Sequence, residues 1–229
     1  MNVDAIVVAA GKGLRFGGQT PKQFLDLAGK PILAYTIAVL NSHPQIERII
    51  VVGAEDWLLY IAEEIVDRYN FEKVHKVVSG GAQRQDSVLA GIQALEKQKG
   101  PILIHDGARP FASPEIIEAV INALAENDAA IPGIPVTDTI KVIENDRVKN
   151  TVDRSQLRAV QTPQGFYIEK LQNALLRAQK EEIAVTDEAM LMEQFGHSVA
   201  IVEGSGKNLK ITNEFDLKIA ELILKDRAS

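Results

Sequence analysis

Residues 7–22 read VVAAGKGLRFGGQTPK, and this stretch decides how the rest of the chain is interpreted. A short apolar run leads into a loop that contains four glycines, Lys12 and Arg15, and the loop ends at Pro21-Lys22. Glycines allow backbone N–H groups to approach an anion closely, and neighbouring cations neutralise its charge. We therefore expect a buried strand followed by a loop that binds a phosphate-rich ligand.

The overall charge of the chain makes this local excess of cations informative. The 229 residues have a formal net charge of −6, whereas residues 1–25 contain Lys12, Arg15 and Lys22 against one acid, Asp4. An acidic chain with no basic patch that includes aromatic residues is not expected to bind nucleic acid. The ligand of the loop is therefore predicted to be a small molecule.

The composition argues against cysteine-based and histidine-based sites, a membrane span and a signal peptide. The chain has no cysteine, which excludes disulfides, thiolate metal sites and a thiol nucleophile, and its four histidines lack metal-ligand spacing. No run approaches the ~20 apolar residues of a membrane-spanning helix. The N-terminus lacks the positively charged region of a signal peptide. We expect a cytoplasmic protein with no membrane partner.

Short β-branched runs alternate with longer amphipathic stretches. Strands are predicted at Ala5–Ala9, Arg48–Gly53, Lys73–Ser79, Ile102–His105, Ala129–Ile134 and Val199–Glu203. Helices are predicted at Ile32–Asn41, Asp56–Tyr69, Gln83–Lys97, Pro114–Glu126, Glu169–Lys180, Asp187–Phe195 and Asn213–Lys225. The alternation predicts one α/β domain over residues 1–229, with a doubly wound, mostly parallel, twisted sheet and ligands at the carboxyl ends of its strands.

One segment departs from this alternation. Residues 139–151 alternate over short distances around a polar Asn145-Asp146 turn, which is typical of a β-hairpin. An isolated hairpin is at best marginally stable in water. We expect it either to fold back on its own domain or to pack against another subunit.

The glycine loop resembles two common phosphate-binding motifs, but it lacks an essential residue of each. A dinucleotide fingerprint needs a third glycine where the chain has Phe16. A P-loop needs Lys-Ser/Thr after its last glycine, where the chain has Gln19-Thr20. An NAD-dependent oxidoreductase is therefore not expected.

Two further motifs follow predicted strands. Residues 79–87 form a glycine turn that opens a helix and ends at Ser87, a place where backbone N–H groups can read a nucleoside or an anion. Asp106 follows a buried strand, where a carboxylate can hold a phosphate-bound Mg²⁺. The alternative for Asp106 is a structural salt bridge with Arg109.

Taken together, the motifs resemble a known family along residues 4–225. The residues that carry the resemblance are Ala9–Phe24, Gly80-Gly81, Arg84, Ser87-Val88, His105-Asp106, Ala108–Pro110, Pro135-Val136, Asp138-Thr139, Asp153-Arg154, Thr162–Gln164, Thr186–Ala189, Asn208 and Lys210. They resemble the 2-C-methyl-D-erythritol 4-phosphate cytidylyltransferases of the non-mevalonate isoprenoid pathway. The related ribitol-5-phosphate cytidylyltransferases share the loop and the His-Asp-x-x-Arg-Pro motif. However, they usually read Leu-Ala-Gly-Gly at residues 9–12 and lack the pattern at Thr186–Ala189.

The resemblance implies a Rossmann-like nucleotidyltransferase fold and transfer of CMP from CTP to methylerythritol phosphate, with Mg²⁺ as cofactor. The implied catalytic residues are Arg15, Lys22, Arg154 and Lys210. The implied nucleotide-binding residues are Ala9, Ala10, Gly11, Gly13, Gly81, Ser87 and Asp106, of which Asp106 holds the metal. The implied acceptor-binding residues are Asp106, Arg109, Thr139, Arg154, Thr186 and Lys210. Residues 137–157 are expected to be a β-arm that forms a homodimer and carries Thr139 and Arg154 to the partner's site. A ribitol 5-phosphate acceptor and a nucleotide-binding module without turnover are the alternatives.

Overall fold

The computed structural model describes residues 1–11, 20–183, 185 and 187–228. Its strands are β1 (Val3–Ala9), β2 (Asp26–Leu27), β3 (Lys30–Pro31), β4 (Ile46–Gly53), β5 (Val74–Ser79), β6 (Pro101–Asp106), β7 (Ala129–Pro135), β8 (Lys141–Glu144), β9 (Arg147–Thr151), β10 (Arg158–Val160), β11 (Gln164–Tyr167) and β12 (Val199–Glu203). Its α-helices are α1 (Ile32–Ser42), α2 (Leu58–Tyr60), α3 (Arg84–Ala94), α4 (Pro114–Ala123), α5 (Ile168–Lys180), α6 (Glu188–Gln194) and α7 (Glu214–Ala228).

The central sheet is mixed and mostly parallel, as predicted. β5, β4, β1 and β6 are parallel neighbours in that order, and β12 pairs in parallel with β7. β11 lies antiparallel between β6 and β7, and β10 is antiparallel to β7. In the described sheet, β10 and β11 thus run against all the other strands.

The topology places the predicted ligand sites together. The chain adds β4 and β5 on one side of β1 and then returns to place β6 on the other side. A crevice opens at the carboxyl ends of the strands where a sheet reverses its direction of growth in this way. Val8 of β1 is in register with Asp106 of β6, and the Gly107 amide donates to the Val8 carbonyl over 2.9 Å. The glycine loop and Asp106 therefore start from adjacent positions.

Both faces of the sheet are buried, which explains the uniformly apolar strands. Ala5, Val7 and Ile49 face one core together with residues of α1 and α4. Ile6 and Ile50 face a second core together with residues of α3, α5 and α6. α7 packs on a smaller cluster that includes Leu27, Phe111 and Ile211.

Four of the described strands, β2, β3, β10 and β11, were not predicted, and several helix ends differ from prediction. β10 and β11 contain three and four residues, too few for a periodicity to be recognised. The helix predicted at Gln83–Lys97 ends at Ala94, since Glu96 adopts a positive φ of 55°. The helix predicted at Asp56–Tyr69 is irregular, with a 3₁₀ turn at Glu55–Trp57, then α2, then a π-helical stretch at Ile61–Asp67.

The predicted hairpin is confirmed as β8 and β9. Its turn residues Asn145 and Asp146 have φ values of 50° and 58°, as a tight hairpin turn requires. All side chains of residues 137–151 are exposed, so the hairpin is an arm that does not fold back into a core. Its role in dimerisation stays a prediction.

None of the helices in the described part of the chain is long and apolar enough to cross a bilayer.

Candidate active site

The end of β1 is held in place by a buried glutamine. The side-chain amide of Gln23 donates to the Ala9 carbonyl over 2.6 Å and to the Gly11 carbonyl over 3.1 Å. This amide satisfies two carbonyls that leave the sheet ladder as the loop begins. Because Gln23 is adjacent to Lys22, the same contact fixes the turn that carries Lys22.

Lys22 lies on a short 3₁₀ turn that aromatic side chains anchor. The turn spans Lys22–Phe24, and the Phe24 ring stacks on Trp57 with centroids 4.6 Å apart. Tyr60 meets the same ring edge-on at 5.2 Å. Lys22 itself lines the pocket at the crevice. The aromatic cluster therefore holds the turn that places Lys22 in the pocket.

The second glycine turn packs tightly against the first. A Cβ at Gly80 would lie 2.6 Å from the Ala10 Cβ and 2.6 Å from Ser87 Oγ, so only glycine fits there. Ser87 Oγ accepts from the Gly81 amide and donates to the Gln83 carbonyl, each over 3.2 Å. Ser87 thus shapes the turn from inside, while Gly81 lines the pocket.

Asp106 is the centre of a cluster of cations. Its Oδ2 lies 2.6 Å from Lys210 Nζ, its Oδ1 lies 3.2 Å from Arg84 Nη2, and Arg109 Nε is 3.9 Å away. Burial opposes ionisation of this carboxyl, but Arg84 and Lys210 outweigh it and hold its pKa well below the usual range. The Asp106–Arg109 salt bridge considered from the sequence is thus the longest of three contacts.

His105 is a buried positioning residue whose tautomer the structure defines. Burial lowers its pKa to about 4, so the ring is neutral at pH 7. Its Nε2 lies 3.1 Å from the Arg109 carbonyl, which can only accept, so Nε2 carries the proton. Nδ1 therefore accepts from the Thr162 hydroxyl over 2.8 Å, and that hydroxyl accepts from the Asp106 amide over 3.0 Å. These bonds hold the end of β6 against Thr162, next to the Asp106 carboxylate.

A loop from the far end of the sequence brings Lys210 to Asp106. The buried Asn208 amide donates to the Thr162 carbonyl over 2.9 Å, and the Ile211 amide donates to the Ala108 carbonyl over 2.9 Å. Arg109 donates to the Asn208 carbonyl over 2.8 Å. These bonds fasten the loop on both sides of Lys210, whose side chain keeps 40% of its surface exposed towards the pocket.

The comparisons with known proteins agree with this geometry. The family model of IspD, 2-C-methyl-D-erythritol 4-phosphate cytidylyltransferase, matches residues 3–226. The chain belongs to this family. Enzymes of the same name from Halalkalibacterium halodurans and Clostridium acetobutylicum are 42% and 45% identical, over 99% and 96% of both chains.

Solved structures lead to the same family. The 4-diphosphocytidyl-2C-methyl-D-erythritol synthase of Anaerococcus prevotii superposes with a TM-score of 0.85 at 32% identity, over 98% of each chain. The cytidylyltransferase of Thermus thermophilus superposes with a TM-score of 0.79 at 32% identity, over 98% of this chain and 100% of its own. The protein is a nucleotidyltransferase of the cytidylyltransferase family, with the predicted fold.

The structure brings many of the residues predicted for this cytidylyltransferase into one pocket. The described pocket is lined by Ala9, Ala10, Gly11, Lys22, Gly81, Ser87, Asp106 and Lys210, among others. Arg109 is largely buried behind Asp106. Gly13, Arg15 and Thr186 lie outside the described residues.

Thr139 and Arg154 lie apart from this pocket, at the base of the exposed arm. Arg154 follows the hairpin on a 3₁₀ turn at Arg154–Gln156 and donates to the Thr137 carbonyl. Neither residue is among those that line the pocket of its own chain. This placement leaves open the prediction that they act in a partner's site.

Sequence reasoning missed two charged residues of this cytidylyltransferase site. Arg84 lines the pocket and bonds both Asp106 and the buried Glu188. Burial raises the pKa of the Glu188 carboxyl, and Arg84 opposes this rise. Both residues belong to motifs that carry the family resemblance, but neither motif shows that these two segments, 104 positions apart, are in contact.

Proposed function

We propose that the protein transfers the cytidylyl group of CTP to 2-C-methyl-D-erythritol 4-phosphate and releases pyrophosphate. The observation that carries this proposal is the convergence of Lys210 and Arg84 on Asp106 where β1 and β6 end, in a pocket that Lys22 also lines. A family member with such a cation-lined crevice is suited to a reaction between two phosphate-containing substrates.

The reaction needs charge stabilisation more than proton transfer. The nucleophile is an oxygen of the acceptor phosphate, which is mostly ionised near neutral pH since a phosphomonoester has a second pKa of about 6. That oxygen forms a bond to the α-phosphorus of CTP, while the bond from the α-phosphorus to the bridging oxygen breaks and pyrophosphate leaves. Two anions must approach each other, so positioned cations lower the barrier.

The chain's residues divide this work between nucleotide and reacting phosphates. Ala9, Ala10, Gly11 and Gly81 line the pocket with backbone groups, and Ser87 shapes the second turn. Lys22, Lys210 and Arg15 stabilise the negative charge that develops at the α-phosphorus. Gly13 belongs with the nucleotide-binding loop.

Mg²⁺ fits the donor set of this pocket. Among the described lining residues, Asp106 carries the only carboxylate, and within the described chain no cluster of three or more acidic or histidine ligands exists. One carboxylate suits Mg²⁺, which completes its octahedral shell with water and substrate phosphates. Each Asp106 oxygen has one cationic neighbour at hydrogen-bond distance, Arg84 Nη2 at 3.2 Å and Lys210 Nζ at 2.6 Å, and a second lone pair beside it. When bound there, Mg²⁺ would neutralise triphosphate charge.

The acceptor site involves two chains in this proposal. Asp106, Arg109, Lys210 and Thr186 would bind methylerythritol phosphate within one subunit, and Thr139 and Arg154 would reach it from the partner's arm. The arm exposes apolar side chains on both strands, with Ile143 56% and Val148 60% exposed. Burying such side chains against a second copy would stabilise a hairpin that has no core of its own.

The deciding experiment measures CTP-dependent pyrophosphate release with methylerythritol phosphate and ribitol 5-phosphate at equal concentrations. The proposal predicts the higher kcat/KM for methylerythritol phosphate. A preference for ribitol 5-phosphate would assign the alternative acceptor. Nucleotide binding without pyrophosphate release from either acceptor would indicate a module without turnover.

A further inference from the structure

The Arg84 side chain bridges two carboxylates that belong to different parts of the fold. Arg84 is the first residue of α3, at the end of the second glycine turn. Its Nη2 lies 3.2 Å from Asp106 Oδ1, at the end of β6, and its Nη1 donates to Glu188 Oε2, at the start of α6. One guanidinium therefore connects the starts of α3 and α6 with the end of β6.

Glu188 cannot act on a substrate directly. Its side chain is 1% exposed, and it is not among the residues that line the pocket. Its position is well defined, since Asp187 caps α6 by accepting from the Met190 amide over 3.1 Å. Gln164 of β11 in turn donates to Asp187 over 2.9 Å. The ion pair of its carboxylate with Arg84 is therefore the described contact through which Glu188 can affect the reaction.

Arg84 differs in charge balance from Lys210, the other cation of the pocket that contacts Asp106. It has two carboxylate partners, and 26% of its side chain is exposed, compared with 40% for Lys210. A guanidinium held at both ends is poorly placed to neutralise a phosphate, but its rigid fork fixes the direction of each partner. A buried ion pair of this kind is weak evidence for stability, because apolar replacements are often equally stable.

We infer that Arg84 and Glu188 are positioning residues: Glu188 holds Arg84, and Arg84 fixes the carboxylate of Asp106 for the reaction. This inference rests on the proposed function, in which Asp106 contacts the substrates. It also connects Glu188, which follows the proposed acceptor-binding residue Thr186 by two positions in the sequence, with the turn that binds the nucleotide. Both sides of the reaction then depend on one ion pair.

Glu188→Gln is the most direct test, because it keeps the size of the side chain and leaves Arg84 in place. Loss of a residue that orients a functional carboxylate typically costs about 10–100-fold, and we expect kcat to fall within that range. The KM for CTP should stay within about twofold of wild type or decrease, since Arg84 gains freedom to meet a phosphate. Unchanged kcat in the folded variant would overturn the inference.

A double apolar variant separates positioning from stability. Arg84→Met with Glu188→Leu replaces the buried pair without leaving an unpaired charge, so the protein should unfold at a similar or higher temperature. We expect the same variant to lose kcat by at least as much as Glu188→Gln. If it retains wild-type kcat, the pair is structural only. The single variant Arg84→Lys, which keeps Glu188 and a cation at position 84, should have a higher kcat than the double variant.

The matched control is Asp4→Asn. Like Glu188, Asp4 is a fully buried carboxylate held by cations, here Arg48 and Lys97, each at 3.0 Å, but it lies at the opposite end of the sheet from the pocket. It should lower the unfolding temperature with unchanged kcat. If Arg84→Met alone reduces kcat while Glu188→Gln does not, Arg84 touches substrate directly and the proposed chain of positioning is wrong.

One readout does not depend on turnover. A crystal structure of Glu188→Gln should show Arg84 Nη2 and Asp106 Oδ1 separated beyond hydrogen-bond range, about 3.5 Å. Retention of the 3.2 Å contact would overturn the inference even if the acceptor were misassigned. Absence of pyrophosphate release from the wild-type protein would instead overturn the proposed function and leave this structural test intact.

Discussion

Phe24→Ala tests whether the aromatic cluster positions Lys22. The Phe24 ring is 6% exposed, stacks on Trp57 and meets Tyr60 edge-on. Truncating a buried phenylalanine costs about 3–5 kcal/mol of unfolding free energy. The lost ring pairs contribute roughly 0.5–1.5 kcal/mol each to such a value. Because Phe24 ends the turn that carries Lys22, the same change should displace the lysine, and a shift of 1 Å costs up to ~10²-fold in rate.

Phe71→Ala provides the matched control for this prediction. Phe71 is 7% exposed and stacks on Tyr69 at 5.9 Å, but it precedes β5 at the end of the sheet away from the pocket. Urea unfolding should show similar losses of stability in both variants. Pyrophosphate release at saturating substrates, under conditions where both variants are folded, should fall only in Phe24→Ala. Equal kcat in the two variants would refute the argument that the cluster positions Lys22.

Three further predictions concern charge, pH and the arm. Arg15→Ala and Lys22→Ala should each lower kcat by ~10²–10³ with near-normal urea unfolding, as for loss of one preorganised transition-state charge, and retained turnover in both would contradict their roles. His105 has a folded-state pKa of about 4, below its unfolded value of 6.5, so the unfolded chain binds the extra proton and stability is lost as pH falls below 6.5. Between pH 7.5 and 5 this histidine should remove about 2 kcal/mol from the unfolding free energy, a contribution that should be absent in His105→Gln. Mixing inactive Lys22→Ala and Arg154→Ala proteins should restore part of the turnover if the arm completes the partner's site, whereas a site within one chain predicts no recovery.

The sheet was predictable because its parallel strands are buried on both faces. Runs such as Ile49–Val52 are apolar throughout, and this pattern requires no knowledge of distant contacts. β10 and β11 were missed because strands of three and four residues are defined by the neighbours they lie between. The irregular helix at residues 55–67 was predicted in position but not in type.

The site was predictable where a single segment carries the chemistry. The positions of Gly81 and Asp106 after strand ends follow from the βα alternation, Lys22 closes the cation-rich glycine loop, and the structure places all three in one pocket. Gln23 and Glu188 were not singled out, since each acts through a side-chain contact with another segment. Such contacts depend on tertiary packing, which no local pattern contains.

In the proposed reaction, an oxygen of the acceptor phosphate attacks the α-phosphorus of CTP. Phosphorus NMR of a reaction with CTP, Mg²⁺ and methylerythritol phosphate follows all of these phosphorus atoms at once. This reaction should replace the acceptor phosphomonoester signal by two coupled diphosphate signals, with one equivalent of free pyrophosphate. An unchanged acceptor signal, or release of inorganic phosphate from CTP, would contradict it.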